Sequence, residues 1–210
     1  MEPEIEMTDA DKATAAKLDA VVATYQPMEP TRENVRQAIL ATAQAFVGIR
    51  EIGKSNTGYW VNIMHRALGL RPGLHWCMMF IQYVFWFVSK IWGKPDLLPF
   101  NSAGTRAMWN WAKKLYLTTS KPEEAGPADI LIFADGSDPT GHTELLTAIP
   151  VAEMSTTGGN TNEQASRDGG HVAEHTMRTN IYGPWGEART AKRWTLGVIR
   201  FDKLFDKYWS

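Results

Sequence analysis

The chain has 210 residues, 44% of them apolar and 21% charged, with a formal net charge of −1. That length and mixture suit one soluble, well-cored domain. A charge so near zero supplies no global field for nucleic acid or an anionic surface, so no nucleic-acid partner is expected.

The N-terminus, Met1-Glu2-Pro3-Glu4-Ile5-Glu6, is acidic and has no apolar h-region, so no secretory signal is expected. Thr8 is placed to cap a helix over 8–25, with Lys12, Lys17 and Asp19 on its wet side. Gln26-Pro27-Met28-Glu29-Pro30 breaks it. Residues 1–30 therefore read as a helical extension and 31–210 as the main domain. Thr31 caps a second helix whose apolar face is Val35, Ala38, Ile39, Ala43 and Phe46, with Thr42 its one polar member. It ends near Gly48. A loop over 53–58 precedes a helical pattern at 59–68, carried by Trp60, Ile63, Met64, Ala67 and Leu68.

Arg71-Pro72-Gly73 turns into His75-Trp76-Cys77, which opens an apolar helix that Gly93 and Pro95 stop. The run 78–88 is about half of the ~20 residues a membrane span needs, so it reads as a buried helix and no transmembrane segment is expected. A further helix is expected over about 102–115. After Gly126-Pro127 the pattern turns to strands at 129–133 and 144–149, weaker ones near 153–157 and 172–178, and a last one at 196–201. Helices first and antiparallel strands afterwards predict an α+β fold, with helices packed on one face of a small antiparallel sheet. Nine tryptophans fit either a large aromatic core or a groove that stacks on sugars or peptides.

Cys77 is the only cysteine, so no intrachain disulfide framework exists. A thiol at a helix start is exposed to the positive end of the helix dipole, which favours the thiolate nucleophile. His142, after a turn-rich loop and at the start of a strand, is the candidate base. Asn160, in the Gly158-Gly159-Asn160-Thr161-Asn162 segment read as a loop, is placed to fix the ring's tautomer. Cysteine, histidine and asparagine in that order are how papain-type hydrolases are written. Taken singly, each has a plainer alternative: a small buried hydrophobe, a loop histidine and a turn residue.

Ile49-Arg50-Glu51-Ile52-Gly53 is followed by Asn56 and Gly58, and Trp76-Cys77 opens a helix. Pro127-Ala128-Asp129-Ile130 precedes Gly141-His142-Thr143, and Gly159-Asn160-Thr161-Asn162 closes the set. Over roughly 35–202 this resembles the CHAP amidases, relatives of the NlpC-type peptidases, and most of all the endolysin-like CHAP proteins of phages and bacteria. The resemblance implies a papain-like fold without metal or cofactor. It also implies cleavage of peptidoglycan, at the muramoyl–alanine amide or within the peptide stem or cross-bridge. It carries the roles of nucleophile to Cys77, base to His142 and orienting group to Asn160. Asn56 and Trp76 are expected on the cleft wall as substrate-binding residues, with turn residue and core aromatic as their alternatives.

One departure stands out. Many such relatives carry a glutamate two residues before the asparagine, where this chain has Gly158. Glu144, two residues from His142 on the same strand face, is the carboxylate nearest in sequence. Two other functions compete with a cysteine hydrolase. One is a catalytically silent structural or binding module of a phage particle. The other is a zinc peptidase on His171-Val172-Ala173-Glu174-His175, which fits H-x-x-E-H, with Glu187 the only glutamate downstream. The hydrolase reading predicts a monomer made in the cytoplasm that acts at the bacterial cell wall. A holin, a virion or a secretion system would have to deliver it.

Overall fold

Thr8 opens α1 (Asp9–Tyr25) with a capping box: its hydroxyl accepts from the Asp11 N–H, and Asp11 Oδ2 accepts from the Thr8 N–H at 2.9 Å. Thr31 caps α2 (Arg32–Ala45) through the Asn34 N–H. Then come α3 (Tyr59–Ala67), α4 (Cys77–Ile91) and α5 (Thr105–Lys114). The strands are β1 (Thr118–Thr119), β2 (Ile130–Asp135), β3 (His142–Ala148), β4 (Glu153–Thr161), β5 (His171–Arg178) and β6 (Arg193–Ile199), and α6 (Phe201–Tyr208) ends the order. This computed structural model describes residues 5–53, 56–136, 141–148, 152–161, 169–181, 184–186 and 193–210.

The fold is α+β. All strand pairings are antiparallel, in the order β1-β6-β2-β3-β4-β5. Strand alternation divides the sheet's apolar residues between two cores. Ile130, Ile132 and Leu145 join the helices, whereas Leu131, Phe133, Leu146, Met154 and Met177 gather with Trp185 in a second cluster. The sheet is thus covered on both faces, not on the helical face alone. That explains why β2 is apolar from Ile130 to Ala134 and does not alternate.

The tryptophans are core. Six are buried and the other three are partly buried. Phe46 organises this packing, meeting Trp60, Phe80 and Tyr83 edge-to-face at 5.3, 6.1 and 5.8 Å. The N-terminal extension docks on the same core. Leu18 and Val21 are part of it, and the Trp60 indole donates to the Asp11 carbonyl at 3.1 Å.

Two polar side chains set the surroundings of Cys77. His65 is fully buried, with its ring nitrogens 2.7 Å from the Val61 carbonyl and 3.1 Å from that of Leu74. It ties α3 to the loop three residues before Cys77. Gln82 explains its place in an apolar helix: its amide donates to the Ser102 carbonyl at 2.8 Å and accepts from the Ser102 N–H at 3.2 Å. That pairing fixes the chain just before α5.

Asp129 joins the start of β2 to the start of α6. It accepts from the Gly126 N–H at 2.9 Å and the Phe201 N–H at 2.7 Å. Burial pushes its carboxyl up to about 7, against those two donors and Arg200.

Besides the short β1, which the sequence reading lacks, two segments differ from the sequence expectation. The last strand ends at Ile199 and Phe201 begins a helix, whose Phe201, Leu204 and Phe205 are buried at helical spacing. Arg36 holds it from α2, donating to Asp202 at 2.6 Å and lying over the Phe201 ring. The second difference is the Gly158-Gly159-Asn160 segment, which belongs to β4 and not to a loop. Glycines inside a strand mark a close approach of something else. A Cβ on Gly159 would lie 2.6 Å from Phe80 Cβ and 2.9 Å from Trp76 Cζ3, so β4 passes α4 too closely for any side chain there.

Candidate active site

Cys77 is the first residue of α4 and His142 the first of β3. The fold brings them together across sixty-five positions of chain. Both are buried, Cys77 at 3% exposure and His142 at 0%. Phe133, opposite His142 in the β2–β3 ladder, stacks on the imidazole at 6.2 Å and 14°.

The ring is held by Glu144, whose Oε1 lies 3.0 Å from His142 Nε2. The two residues share a face of β3, because side chains two apart on a strand point the same way. Glu144 is fully buried, which by itself would push its carboxyl up. Hydrogen bonds from His142 and His175, and the charges they carry, outweigh that and hold it well below the usual carboxylate range. Its Oε2 lies 3.1 Å from His175 Nδ1 and also accepts from the Thr156 hydroxyl. An ionised carboxylate only accepts, so His142 Nε2 and His175 Nδ1 each carry a hydrogen.

That assignment leaves His142 Nδ1 as the basic nitrogen. It is buried and makes no hydrogen bond, while the Cys77 thiol and the His142 ring interact electrostatically. The pair interacts without meeting hydrogen-bond geometry. Burial pushes the Cys77 thiol up, but His142, the Thr105 hydroxyl and the Met78 N–H together bring it below its ordinary value. Burial opposes the imidazolium too. Cys77 and Glu144 overcome it and raise His142 to about 9. The geometry therefore favours a thiolate–imidazolium pair backed by a carboxylate.

Glu144, and not Asn160, stands where Asn160 was expected, on the far nitrogen of His142. Asn160 is buried, but the ring nitrogen it meets belongs to His75, at 3.5 Å from Asn160 Nδ2. His142 Nε2 belongs to Glu144 instead. Asn160 has a positive φ of 53°, within the register shift of the β4–β5 ladder between Gly158 and Thr161. Asparagine tolerates that left-handed backbone better than most residues, which accounts for its type without catalysis. Asn162 and Glu187 lie outside the described residues.

Gly158 also has a physical reason. A Cβ there would sit 2.8 Å from Glu144 Cγ and 3.1 Å from Cδ. The carboxylate on β3 thus fills the space a side chain at 158 would take. Sequence order hid this, because 144 and 158 become neighbours only when β3 and β4 pair.

The two expected cleft residues meet on Glu51. Its Oε2 accepts from the Asn56 N–H at 3.1 Å and from the Trp76 indole at 3.3 Å. Trp76 is fully buried, so it offers no face for stacking a ligand. Asn56 is partly buried and in the left-handed region, φ 52°.

His171 and His175 lie on strand β5, not on a helix. Four residues of strand span ~13 Å, so the two imidazoles do not share an ion in the way H-x-x-E-H requires. Among the described residues no group of three or more His, Cys, Asp or Glu is placed to hold a metal, and no helix is long and apolar enough to cross a membrane.

Sequence offers no signal for Thr105 or Thr156, and it marks His175 only as a zinc-ligand candidate, not as a partner of Glu144. No family model, no curated protein and no solved structure matches this chain.

Proposed function

We propose that this chain is a cysteine-dependent amide hydrolase of papain-like type, with peptidoglycan as its substrate. One observation carries the reaction class: the buried His142 ring interacts with the Cys77 thiol and has an ionised, buried Glu144 on its Nε2. The substrate class rests on the CHAP resemblance of the motifs around Cys77, His142 and Asn160.

In this reaction the Cys77 thiolate attacks the amide carbonyl, forming a C–S bond and an oxyanion. The N–H groups of the first turn of α4 precede its first intrahelical bond, Phe80 N–H to the Trp76 carbonyl, and suit an oxyanion hole. His142 delivers its Nδ1 proton to the leaving amine as the C–N bond breaks. The neutral ring then takes a proton from water, whose oxygen attacks the thioester and releases the acid and the thiol. Glu144 keeps the ring oriented and stabilises the imidazolium throughout. Delivery to the cell wall by a holin, virion or secretion system belongs to the same proposal.

A second reading, a silent module of a phage particle, is favoured by the burial of Cys77. Incubating purified sacculi with wild type, Cys77→Ala and His142→Ala, and identifying released fragments by mass spectrometry, separates the two. The hydrolase reading expects fragments from wild type alone. No release by wild type sinks it.

A further inference from the structure

Glu144 does not end at His142. Its side chain runs from β3 across β4, over Gly158, to reach Thr156 on β4 and His175 on β5. Thr156 and His175 face each other in the β4–β5 ladder, so the two groups that hold Oε2 stand side by side. A glutamate has a soft terminal torsion, and a carboxylate anchored by one oxygen only is free to turn about it. Held on both oxygens by donors from β3, β4 and β5, it is not.

We propose that His175 is a positioning residue for the chemistry at Cys77: its Nδ1–H anchors the far oxygen of Glu144, so that the near oxygen stays on His142. The inference rests on the reading of Cys77 and His142 as nucleophile and base. It gives a role to one of the two histidines of the H-x-x-E-H segment, which lies on a strand. His175 is 7% exposed and reaches the carboxylate, whereas His171, at the far end of the strand, is partly buried and contacts the Gly169 carbonyl at 3.2 Å. A buried histidine that merely satisfied itself on a nearby acceptor would affect stability alone. A positioning role must also reach the thiol, three groups away.

The test is the pH profile of Cys77 alkylation by iodoacetamide, on the full chain. His175→Phe keeps a ring and removes the donor. Its profile is expected to move to higher pH, with the rate at pH 6 falling about tenfold or more, as when the orienting member of a triad is lost. His175→Asn places an amide N–H near the position of Nδ1 and is expected to return most of that rate. A His175→Phe profile superimposed on wild type overturns the proposal, as does failure of His175→Asn to restore what His175→Phe lost. If His175→Phe does not fold, nitrogen NMR of the wild type decides: a protonated, slowly exchanging Nδ1 is expected, and a bare Nδ1 overturns it. An unchanged His175→Phe profile with wall-fragment release intact sinks this proposal and leaves the hydrolase standing. Absent release with a shifted profile does the reverse.

Discussion

Glu144 occupies the space that a side chain at Gly158 would need, with Cγ only 2.8 Å from where the Cβ of residue 158 would be. Leu145 pairs with Thr157, so Glu144 stands opposite Gly158, one step further along the ladder. The site therefore has room for one carboxylate on this pair of positions, and here it is on β3. The glycine that looked like a missing acid is the vacancy that lets Glu144 reach three donors.

Gly158→Ala should push that carboxylate off His142. We expect a loss of about 1–3 kcal/mol of stability in urea unfolding, the usual cost of overpacking, together with slower alkylation of Cys77 near pH 6. The exchange Glu144→Ala with Gly158→Glu supplies an acid from the opposite strand. It should recover part of the alkylation rate that Glu144→Ala alone loses, since directly opposed side chains lie only ~5 Å apart. No recovery would show that the acid works only from β3.

The pH dependence of the reaction follows from the pair. The Cys77 thiol lies below its ordinary 9.0 and His142 is raised to about 9. Hydrolysis should rise at a pH below that of a free thiol, then fall above about 9 as His142 loses the proton it owes the leaving amine. A rate still climbing beyond pH 10 would mean that His142 is not the acid.

Stability should show the same groups. Glu144 is depressed below 4.5, so its contribution is complete above 4.5 and is lost progressively as pH falls through its folded value. His142 is raised from 6.5 to about 9, so its contribution is complete below 6.5 and is lost as pH rises through about 9. The stability difference between wild type and Glu144→Gln should therefore be largest between pH 4.5 and 6.5. It should shrink on both sides. A difference that stays constant with pH would contradict the charge assignment.

Gly159→Ala tests the approach of β4 to α4. The added methyl meets Phe80 Cβ at 2.6 Å and the Trp76 ring at 2.9 Å, and both neighbours are fully buried. We expect a loss of about 1–3 kcal/mol in denaturant unfolding. An unaffected midpoint would mean that the strand yields without cost.

Sequence alone determined helices α1 to α5 and most of the strands. Caps at Thr8 and Thr31 and the stop at Gly93 and Pro95 act through neighbours a few residues away, so local pattern suffices to read them. The local settings of Cys77 and His142 were legible for the same reason. Cys77 heads a helix and His142 heads a strand, each announced by the turn before it. Helix α6 was legible in principle, from Phe201, Leu204 and Phe205 at helical spacing, but its short length hid it behind the strand it follows. Only the tertiary structure decided which carboxylate serves His142 and why Gly158 and Gly159 are glycines. It also decided that Trp76 is core and that His175 reaches the site. Each of those depends on which strand lies beside which, and on how close α4 comes to β4. Ladder register and packing distance join residues far apart in the chain, and no local period encodes them.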